Sequence, residues 1–182
     1  MVAVCLERGV PVVLARKRAH LVETFTYEFR QPYHTAEKML IGQAHEFIAR
    51  MQGEAQRLAF REIQELACRA EEQGVKLTRC SLLLASGRPL PELEKILGSH
   101  ALIHTADGEL FRDALAQTCK RSKFKMFSVK EKELLAQASK MLRGQPAALM
   151  KRVTALGKSV GSPWSQDEKF ATLAAWLALH CL

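Results

Sequence analysis

Four side chains that can bind a metal or move a proton lie close together between residues 100 and 109. They are His100, His104, Asp107 and Glu109. If this stretch is helical, His100 and His104 lie on one face at a spacing of four residues, as metal-binding histidine pairs do. The zinc-protease pattern also needs a glutamate directly after the first histidine, and Ala101 stands there instead. The group therefore suggests a metal site, or a cleft that holds a phosphate or a water.

Local structure explains the same residues more simply, and from the sequence we favour it. Gly98 is a suitable end for one helix, and Thr105 or Asp107 is a suitable N-cap for the next. The histidine rings would then pack or form hydrogen bonds at the junction between the two helices. A hydrolase that uses all four side chains named above remains the alternative.

The excess of positive charge lies entirely in the second part of the chain. The 182 residues carry 27 basic and 19 acidic side chains, and residues 75–182 account for the whole net charge of +8. A basic block of this kind favours a phosphate-rich partner, although it equally describes a solvated face. The candidate contacts to a nucleic-acid backbone are Lys120, Arg121, Lys123, Lys125, Lys151, Arg152, Lys158 and Arg88, which follows a predicted strand in the loop Ser86–Pro89.

The five cysteines argue against a disulfide framework and against a structural zinc site. Their number is odd, their spacings are wide, and no pair has the C-x-x-C spacing. Cys68 and Cys80 stand in apolar stretches and are expected to be small core residues in a reducing compartment. No apolar run reaches the roughly 20 residues of a membrane span. We therefore expect a cytoplasmic protein with no membrane partner.

Hydrophobic periodicity predicts three strands followed by a long helix. Val2–Leu6 and Val10–Ala15 flank Gly9 and predict a hairpin. Ala19–Phe29 alternates apolar and polar residues and predicts a third antiparallel strand. Residues 35–73 then show helical spacing over a length of about 58 Å. A helix of that length either breaks, with Gly53 as the best position, or projects and pairs with a second subunit.

The second half of the chain predicts further strands and helices, and one domain over residues 1–182. Val75–Ala85 is expected to be a central strand, because its second half is continuously apolar. Lys123–Val129 is expected to be a short strand with a basic outer face. The predicted helices are Pro91–Leu97, one from Thr105 or Asp107 to about Ser122, Lys130–Leu142, Leu149–Leu156 and Gln166–Leu179. This order predicts an α/β fold, a mixed sheet with helices on both faces.

This order of elements is similar to the ribonuclease H-like fold of the Holliday-junction-resolvase type. The closing stretch SQDEKFATLAAWLAL resembles the last helix of those proteins, in which an aspartate at the start holds a catalytic metal. The stretches GRPLPELEKILGSHALIHTADGELFR and SPWSQDEKFATLAAW also resemble a bacterial family of unknown function with this architecture. The resemblance implies that Asp167 is a metal ligand and that the metal is Mg²⁺ or Mn²⁺.

The chain departs from the resolvase pattern at the other carboxylates. The first strand, Val2–Leu6, has no aspartate, Ser86 stands where a second carboxylate is expected, and Phe170 replaces a further aspartate. The whole chain has three aspartates, whereas cleavage by two metals needs several carboxylates around ions about 4 Å apart. The resemblance therefore predicts an incomplete metal site and argues against a competent nuclease.

Taken together, the sequence predicts a nucleic-acid-associated or interaction module. In this hypothesis the basic residues bind phosphates, and Asp167 is a relic or a single metal ligand. The first alternative is an enzyme, either a metal-dependent nuclease or a hydrolase that uses His100, His104, Asp107 and Glu109. The second alternative is a structural subunit that forms a homodimer through helix 35–73.

Overall fold

The structure, a computed structural model, describes residues 1–24, 26–85 and 89–180. Phe25, Ser86 and Arg88 therefore lie outside the described residues. The chain divides into two compact units, each built from several separate segments. The first unit comprises Met1–Arg18, Gln64–Gly87 and Cys119–Leu182, and the second comprises Ala19–Ile63 and Arg88–Thr118. No helix in the described ranges is both long enough and apolar enough to cross a membrane.

The first unit begins with the predicted hairpin. Strands β1 (Val2–Glu7) and β2 (Val10–Arg16) pair antiparallel. Both residues between them have positive φ, 50° at Arg8 and 80° at Gly9, which is the geometry of the tight turn that matches strand twist. A glycine at the second position tolerates this backbone without steric conflict. The hairpin prediction is confirmed.

The second sheet of the first unit is a parallel pair. Strand β3 (Arg79–Leu84) pairs with strand β4 (Lys125–Lys130) in continuous register, from Arg79 opposite Lys125 to Leu84 opposite Lys130. In the described residues, the strands form these two small sheets of two strands each. The predicted ribonuclease H-like mixed sheet, three antiparallel strands continued by α/β units, is therefore wrong.

The error arises at the predicted third strand, Ala19–Phe29. Residues 19–24 form no strand, and Tyr27–Arg30 is a short helix, α1. Val22 is buried in a helical core, so its apolar character reflects packing against helices rather than a sheet face. Alternation alone does not make a strand, because a strand needs a hydrogen-bonding neighbour and this segment has none in the described residues.

Three helices follow β4 in the first unit, and the last two of them contact its strands. A 3₁₀ turn (Glu131–Glu133) leads into α6 (Leu134–Met141), followed by α7 (Pro146–Val160) and α8 (Gln166–Ala178). The helix predicted over Lys130–Leu142 is thus shorter. The core joins the last strand to these helices through Val129, Leu134, Ala138, Leu149, Val153, Leu173, Ala174, Trp176 and Leu177.

The second unit is helical. It contains α1, α2 (Pro32–Ala36), most of α3 (Ile41–Glu71), α4 (Leu93–Leu97) and most of α5 (His100–Arg121). Its core includes Tyr33, Ala36, Ala44, Phe47, Ile48, Met51, Ala55, Ala59, Ile96, Ile103, Ala106, Leu110 and Ala114. Small residues on the buried stripes of α3 and α5 allow helices to pack closely.

The predicted long helix is interrupted at a different place. Residues 37–40 separate α2 from α3, and α3 then runs unbroken through Gly53 for 31 residues, about 46 Å. Gly53 does not break the helix, because a single glycine costs only about 1 kcal/mol relative to alanine and the flanking residues Met51 and Ala55 are fully buried.

Candidate metal centre

The first turns of α5 place three of the predicted side chains on one face. The helix begins at His100, five residues before the predicted cap at Thr105. At 100° per residue, His100, His104 and Asp107 fall within about 60° of one another around the helix axis. Ile103 is fully buried beside them, which fixes the rotation of the helix and hence the direction of this face.

A fourth side chain, His34, comes from α2. Pro32 stands in the first turn of α2, where its missing N–H is not needed. The backbone N–H of Tyr33 donates to Asp107 Oδ1 at 2.7 Å, and His34 Nδ1 donates to Asp107 Oδ2 at 2.6 Å. Both carboxylate oxygens of Asp107 are therefore occupied in holding α2, and His34 is left with Nε2 as its available nitrogen.

The three imidazole rings form a compact cluster. Ring centroids are 4.5 Å apart for His34 and His104, 4.5 Å for His100 and His104, and 5.5 Å for His34 and His100. One ring nitrogen from each histidine lies within 4.8 Å of the other two. In the described part of the chain, this is the one group of three or more potential ligands so arranged.

The cluster has a buried base and an open side. His34 and Asp107 are each 8% exposed, whereas His100 and His104 are exposed. The Nε2 atoms of His100 and His104 lie 3.1 Å apart, close enough for one to donate a hydrogen bond to the other. A ligand can therefore approach from solvent and meet two exposed nitrogens, with the third nitrogen fixed from below.

Burial shifts the pKa values of two side chains next to the histidines, Asp107 and Tyr33. Burial raises the pKa of Asp107 above its ordinary value, and hydrogen bonds from His34 and from the Tyr33 backbone act in the opposite direction. The pKa of the Tyr33 phenol is also raised, first by burial and then by the negative charges of Asp107 and Asp113. The carboxylate thus lies in a poorly solvated position, where a hydrogen-bonded partner such as His34 is worth more than at the surface.

Glu109 does not join the cluster. It lies about 180° around α5 from His100, because nine residues correspond to two and a half turns. Its carboxylate instead pairs with Arg112 at 3.2 Å. Its predicted part in a four-residue site with His100, His104 and Asp107 therefore has no support from the geometry of α5.

Asp167 stands in the first turn of α8, in the first unit, and is exposed. It is not part of the histidine group. Its side chain lies beside the cap of α8, where a negative charge favours the helix N-terminus. Its role as a metal ligand, which the resemblance implied, remains a prediction.

The predicted phosphate-binding residues of the first unit are all on the surface. Those within the described chain are Lys120, Arg121, Lys123, Lys125, Lys151, Arg152 and Lys158, and each is exposed. Lys151 and Lys158 are seven residues apart and share one face of α7. Arg152 lies over the ring of Trp176, with its guanidinium carbon 5.1 Å from the ring centroid. Arg88 lies outside the described residues.

Sequence reasoning found two of the three histidines and missed the third. His34 precedes His100 by 66 residues and follows a proline in a segment that the sequence analysis placed between a strand and a helix. The spacing of His100, His104 and Asp107 along α5 was a usable signal. No residue pattern near His34 indicates that α2 packs against this face of α5. The two helices are far apart in the sequence and meet only in the folded protein.

Comparisons with protein-family models, with curated proteins and with solved structures found no match. The resemblance to ribonuclease H-like proteins is therefore untested by a relative. The functional argument depends on the residues themselves. What they define is a three-histidine cluster supported by a carboxylate.

Proposed function

We propose that this protein binds a divalent transition-metal ion, in the first place Zn²⁺, through His34, His100 and His104. The observation that supports the proposal is the convergence of three imidazole nitrogens within 4.8 Å of one another. Nitrogens bound to one tetrahedral zinc at 2.0–2.1 Å are about 3.3 Å apart, close to the 3.1 Å between Nε2 of His100 and His104.

The hydrogen bond from His34 to Asp107 has the form found behind metal-bound histidines. Such histidines commonly donate their second ring nitrogen to a carboxylate, which fixes the tautomer and the ring orientation. Asp107 accepts from His34 Nδ1 at 2.6 Å, which leaves Nε2 as the His34 nitrogen that can bind a metal. His34 is thereby positioned as a ligand before any ion arrives.

The donor set favours zinc, copper, nickel or iron over the ions that the resemblance implied. Imidazole suits these metals, whereas Mg²⁺ and Mn²⁺ are usually held by carboxylate, carbonyl and water oxygens. Three protein ligands also leave a fourth position of a tetrahedral ion for water or substrate, as in catalytic rather than structural zinc sites. A metal held in this way lowers the pKa of bound water and makes it a nucleophile near neutral pH.

Calorimetric titration of metal-stripped protein tests the proposal. We expect one Zn²⁺ per chain, bound more tightly than Mg²⁺ or Mn²⁺. The variant His100→Ala/His104→Ala should bind Zn²⁺ more than about 100-fold more weakly. Mutation of a residue that only hydrogen-bonds to a metal ligand already lowers metal affinity by roughly 10- to 100-fold. These two side chains are exposed, so their removal leaves the core intact.

His45→Ala is the matched control. His45 is an exposed histidine of the same unit, 3.3 Å from Glu94, and it lies outside the cluster. Its removal should leave zinc affinity unchanged. Zinc-edge absorption spectra separate nitrogen ligands at about 2.0–2.1 Å from thiolates at about 2.3 Å. Equal affinity in the double variant, or a thiolate-dominated spectrum, would reject the site.

The hydrolytic role needs its own measurement. The Zn²⁺-loaded protein should hydrolyse 4-nitrophenyl acetate faster than the metal-free protein. This difference in rate should exceed any change in rate that His45→Ala causes in the Zn²⁺-loaded protein. A rate that does not depend on zinc would remove water activation from the proposal and leave metal binding in place.

A second candidate function is binding to the phosphate backbone of nucleic acid. It is supported by the exposure of the seven predicted contacts that the structure describes, Lys120, Arg121, Lys123, Lys125, Lys151, Arg152 and Lys158. Lysine and arginine that replace condensed counterions make such binding fall steeply as salt rises. Lys151 and Lys158 share one face of α7, so a double substitution there tests one defined part of this basic surface.

A charge-matched pair of variants tests this candidate. Lys151→Glu/Lys158→Glu should weaken binding to single- and double-stranded DNA and RNA and reduce its salt dependence. Lys38→Glu/Lys95→Glu makes the same change in net charge at exposed positions of the second unit. Equal effects from the two variants would show that net charge alone is responsible. No detectable binding at low salt would reject the candidate.

A further inference from the structure

Two cysteines of the first unit are in direct contact. Cys80 is the second residue of β3, and Cys119 lies in the last turn of α5, 39 residues later. The thiol of Cys119 donates to Cys80 Sγ across 2.7 Å. A disulfide bond is about 2.05 Å long, so the two sulfurs need to approach by less than about 0.7 Å to be joined.

The backbone on both sides holds this contact in place. Cys80 is paired with Met126 within the parallel sheet of β3 and β4. The N–H of Phe124 donates to the carbonyl of Cys119 at 3.0 Å, and the N–H of Lys125 donates to the carbonyl of Thr78 at 3.0 Å. The end of α5 and the start of β3 are thus tied to the same short connection.

We propose that Cys80 and Cys119 form a redox-sensitive dithiol site that hydrogen peroxide converts to an intramolecular disulfide. The site is separate from the histidine cluster, because both cysteines belong to the first unit and the histidines to the second. It is a modification site, and it requires neither a metal nor a nucleic acid.

The two cysteines differ in burial and in thiol pKa, as a peroxide-reactive thiol and a resolving thiol must. Cys80 is partly buried, whereas Cys119 is 2% exposed. The hydrogen bond from Cys119 lowers the pKa of Cys80 below its ordinary value, and the same contact together with burial raises the pKa of Cys119. Cys80 is therefore the thiolate that meets peroxide, and Cys119 is the thiol that resolves the product.

The steps balance with peroxide as the sole oxidant. The Cys80 thiolate attacks one peroxide oxygen, an S–O bond forms, the O–O bond breaks, and hydroxide leaves and becomes water. The Cys119 sulfur then attacks the Cys80 sulfur, the S–O bond breaks, and a second water leaves with the Cys119 proton. Two thiols lose two electrons and two protons, and one peroxide becomes two waters. An external thiol reverses the reaction by exchange.

Intact mass and peptide mapping test the proposal on a chain that keeps only these two thiols, Cys5→Ser/Cys68→Ser/Cys181→Ser. After peroxide treatment and alkylation we expect a mass lower by two hydrogens, no alkyl group, and a peptide that links Cys80 to Cys119. A reducing thiol should restore two alkylation sites. The linkage should form at least about tenfold faster in the native chain than in urea, because folding holds the sulfurs together.

The control adds Cys80→Ser to the same chain, which should then accumulate no linked peptide. The wild-type chain is mapped in the same way, so that a folding defect in a variant does not decide the result. Oxidation of Cys80 to sulfinic acid without linkage would overturn the proposal. Linkage that forms equally fast in urea, or that joins Cys80 to Cys5 or Cys68 instead, would also overturn it.

Discussion

Asp107 determines how His34 is presented to the other histidines. Its two oxygens accept from the Tyr33 backbone at 2.7 Å and from His34 Nδ1 at 2.6 Å. Loss of either hydrogen bond leaves a buried polar group without a partner, which costs roughly 1–3 kcal/mol. One side chain therefore contributes both to the packing of α2 and to the orientation of a proposed ligand.

Asp107→Asn is expected to weaken Zn²⁺ binding by roughly 10- to 100-fold, because an amide cannot accept both hydrogen bonds with its two different atoms. Zinc titration measures the affinity, and urea denaturation measures the accompanying loss of stability. Asp113→Asn is the control, since Asp113 is exposed on the same helix and lies outside the cluster. Wild-type affinity in Asp107→Asn would contradict the orienting role.

At the residue scale, the sequence was informative only where ligands share a helix. His100, His104 and Asp107 are separated by four and three residues, so a helical period brings them to one face. His34 and Cys119 had no such neighbours. The contact of Cys119 with Cys80 joins a helix to a strand. The apolar stretch around Cys80 predicted only a core position for it, and no prediction was made for Cys119.

Helix α8 illustrates an element whose start is specified by its own residues. Ser165 Oγ accepts from the backbone N–H of Glu168 at 3.2 Å, and the Glu168 carboxylate accepts from the backbone N–H of Ser165 at 2.7 Å. This capping box satisfies two N–H groups that the helix leaves without partners. Glu168 also pairs with Arg16 at the end of β2, at 3.2 Å.

Ser165→Ala is expected to destabilise the protein by about 1 kcal/mol, the usual effect of removing a hydroxyl N-cap. Thermal or urea unfolding measures the change. Ser159→Ala is the comparison, because Ser159 is exposed near the end of α7 and its hydroxyl donates to the Leu156 carbonyl of the same helix. A loss no larger than that of Ser159→Ala would show that the box contributes nothing to stability.

Glu168 also predicts a dependence of stability on pH. Burial alone raises the pKa of its carboxyl, but hydrogen bonds to Ser165 and the charge of Arg16 lower the pKa overall. The folded pKa therefore lies below the unfolded value of about 4.5. The contribution is complete above that value and is lost as pH falls below it.

The acid part of the stability curve should accordingly become flatter in Glu168→Gln than in the wild type. Urea midpoints measured from pH 7 down to pH 3 give this slope. Glu131→Gln makes the same change in net charge at an exposed glutamate of the same unit and is the control. Parallel curves for Glu168→Gln and the wild type would contradict the prediction.

At the element scale, prediction succeeded where local chemistry is decisive and failed where a distant partner is needed. Gly9 in its turn and Ser165 at its cap define their elements from neighbouring residues alone. The interpretation of Ala19–Phe29 as a strand depended on a third position in a sheet, and the described sheets have only two strands each. The residues instead join a helical unit, where Val22 is buried.

The two units are interleaved along the chain. The chain passes from the first unit to the second after Arg18, returns after Ile63, leaves again after Gly87 and returns after Thr118. Helices α3 and α5 each contribute residues to both units. The apolar stripe of α3, including Phe47, Ile48 and Met51, is buried in the core of the second unit. A homodimer through residues 35–73 would therefore need other faces of that helix.

We expect one cooperative unfolding transition for the whole molecule, since a helix forms and melts cooperatively and two helices run through both units. The aromatic residues allow a direct measurement. Both tryptophans, Trp164 and Trp176, are in the first unit, and both tyrosines, Tyr27 and Tyr33, are in the second. Tryptophan fluorescence and tyrosine absorbance should give the same urea midpoint. Separate midpoints would show that the units unfold independently.

The interleaving also restricts how the molecule can be inherited. Neither unit is encoded by one continuous stretch, since the first needs three segments and the second needs two. The shortest stretch that carries the whole second unit, residues 19–118, also carries residues 64–87 of the first, and the whole first unit needs the full length of the chain. The histidine cluster illustrates this, because His34 and His100 come from different segments of the second unit. A stretch of gene that carries the histidine cluster intact, from His34 to Asp107, therefore always carries Cys80 of the other unit as well, whereas Cys119 lies beyond it.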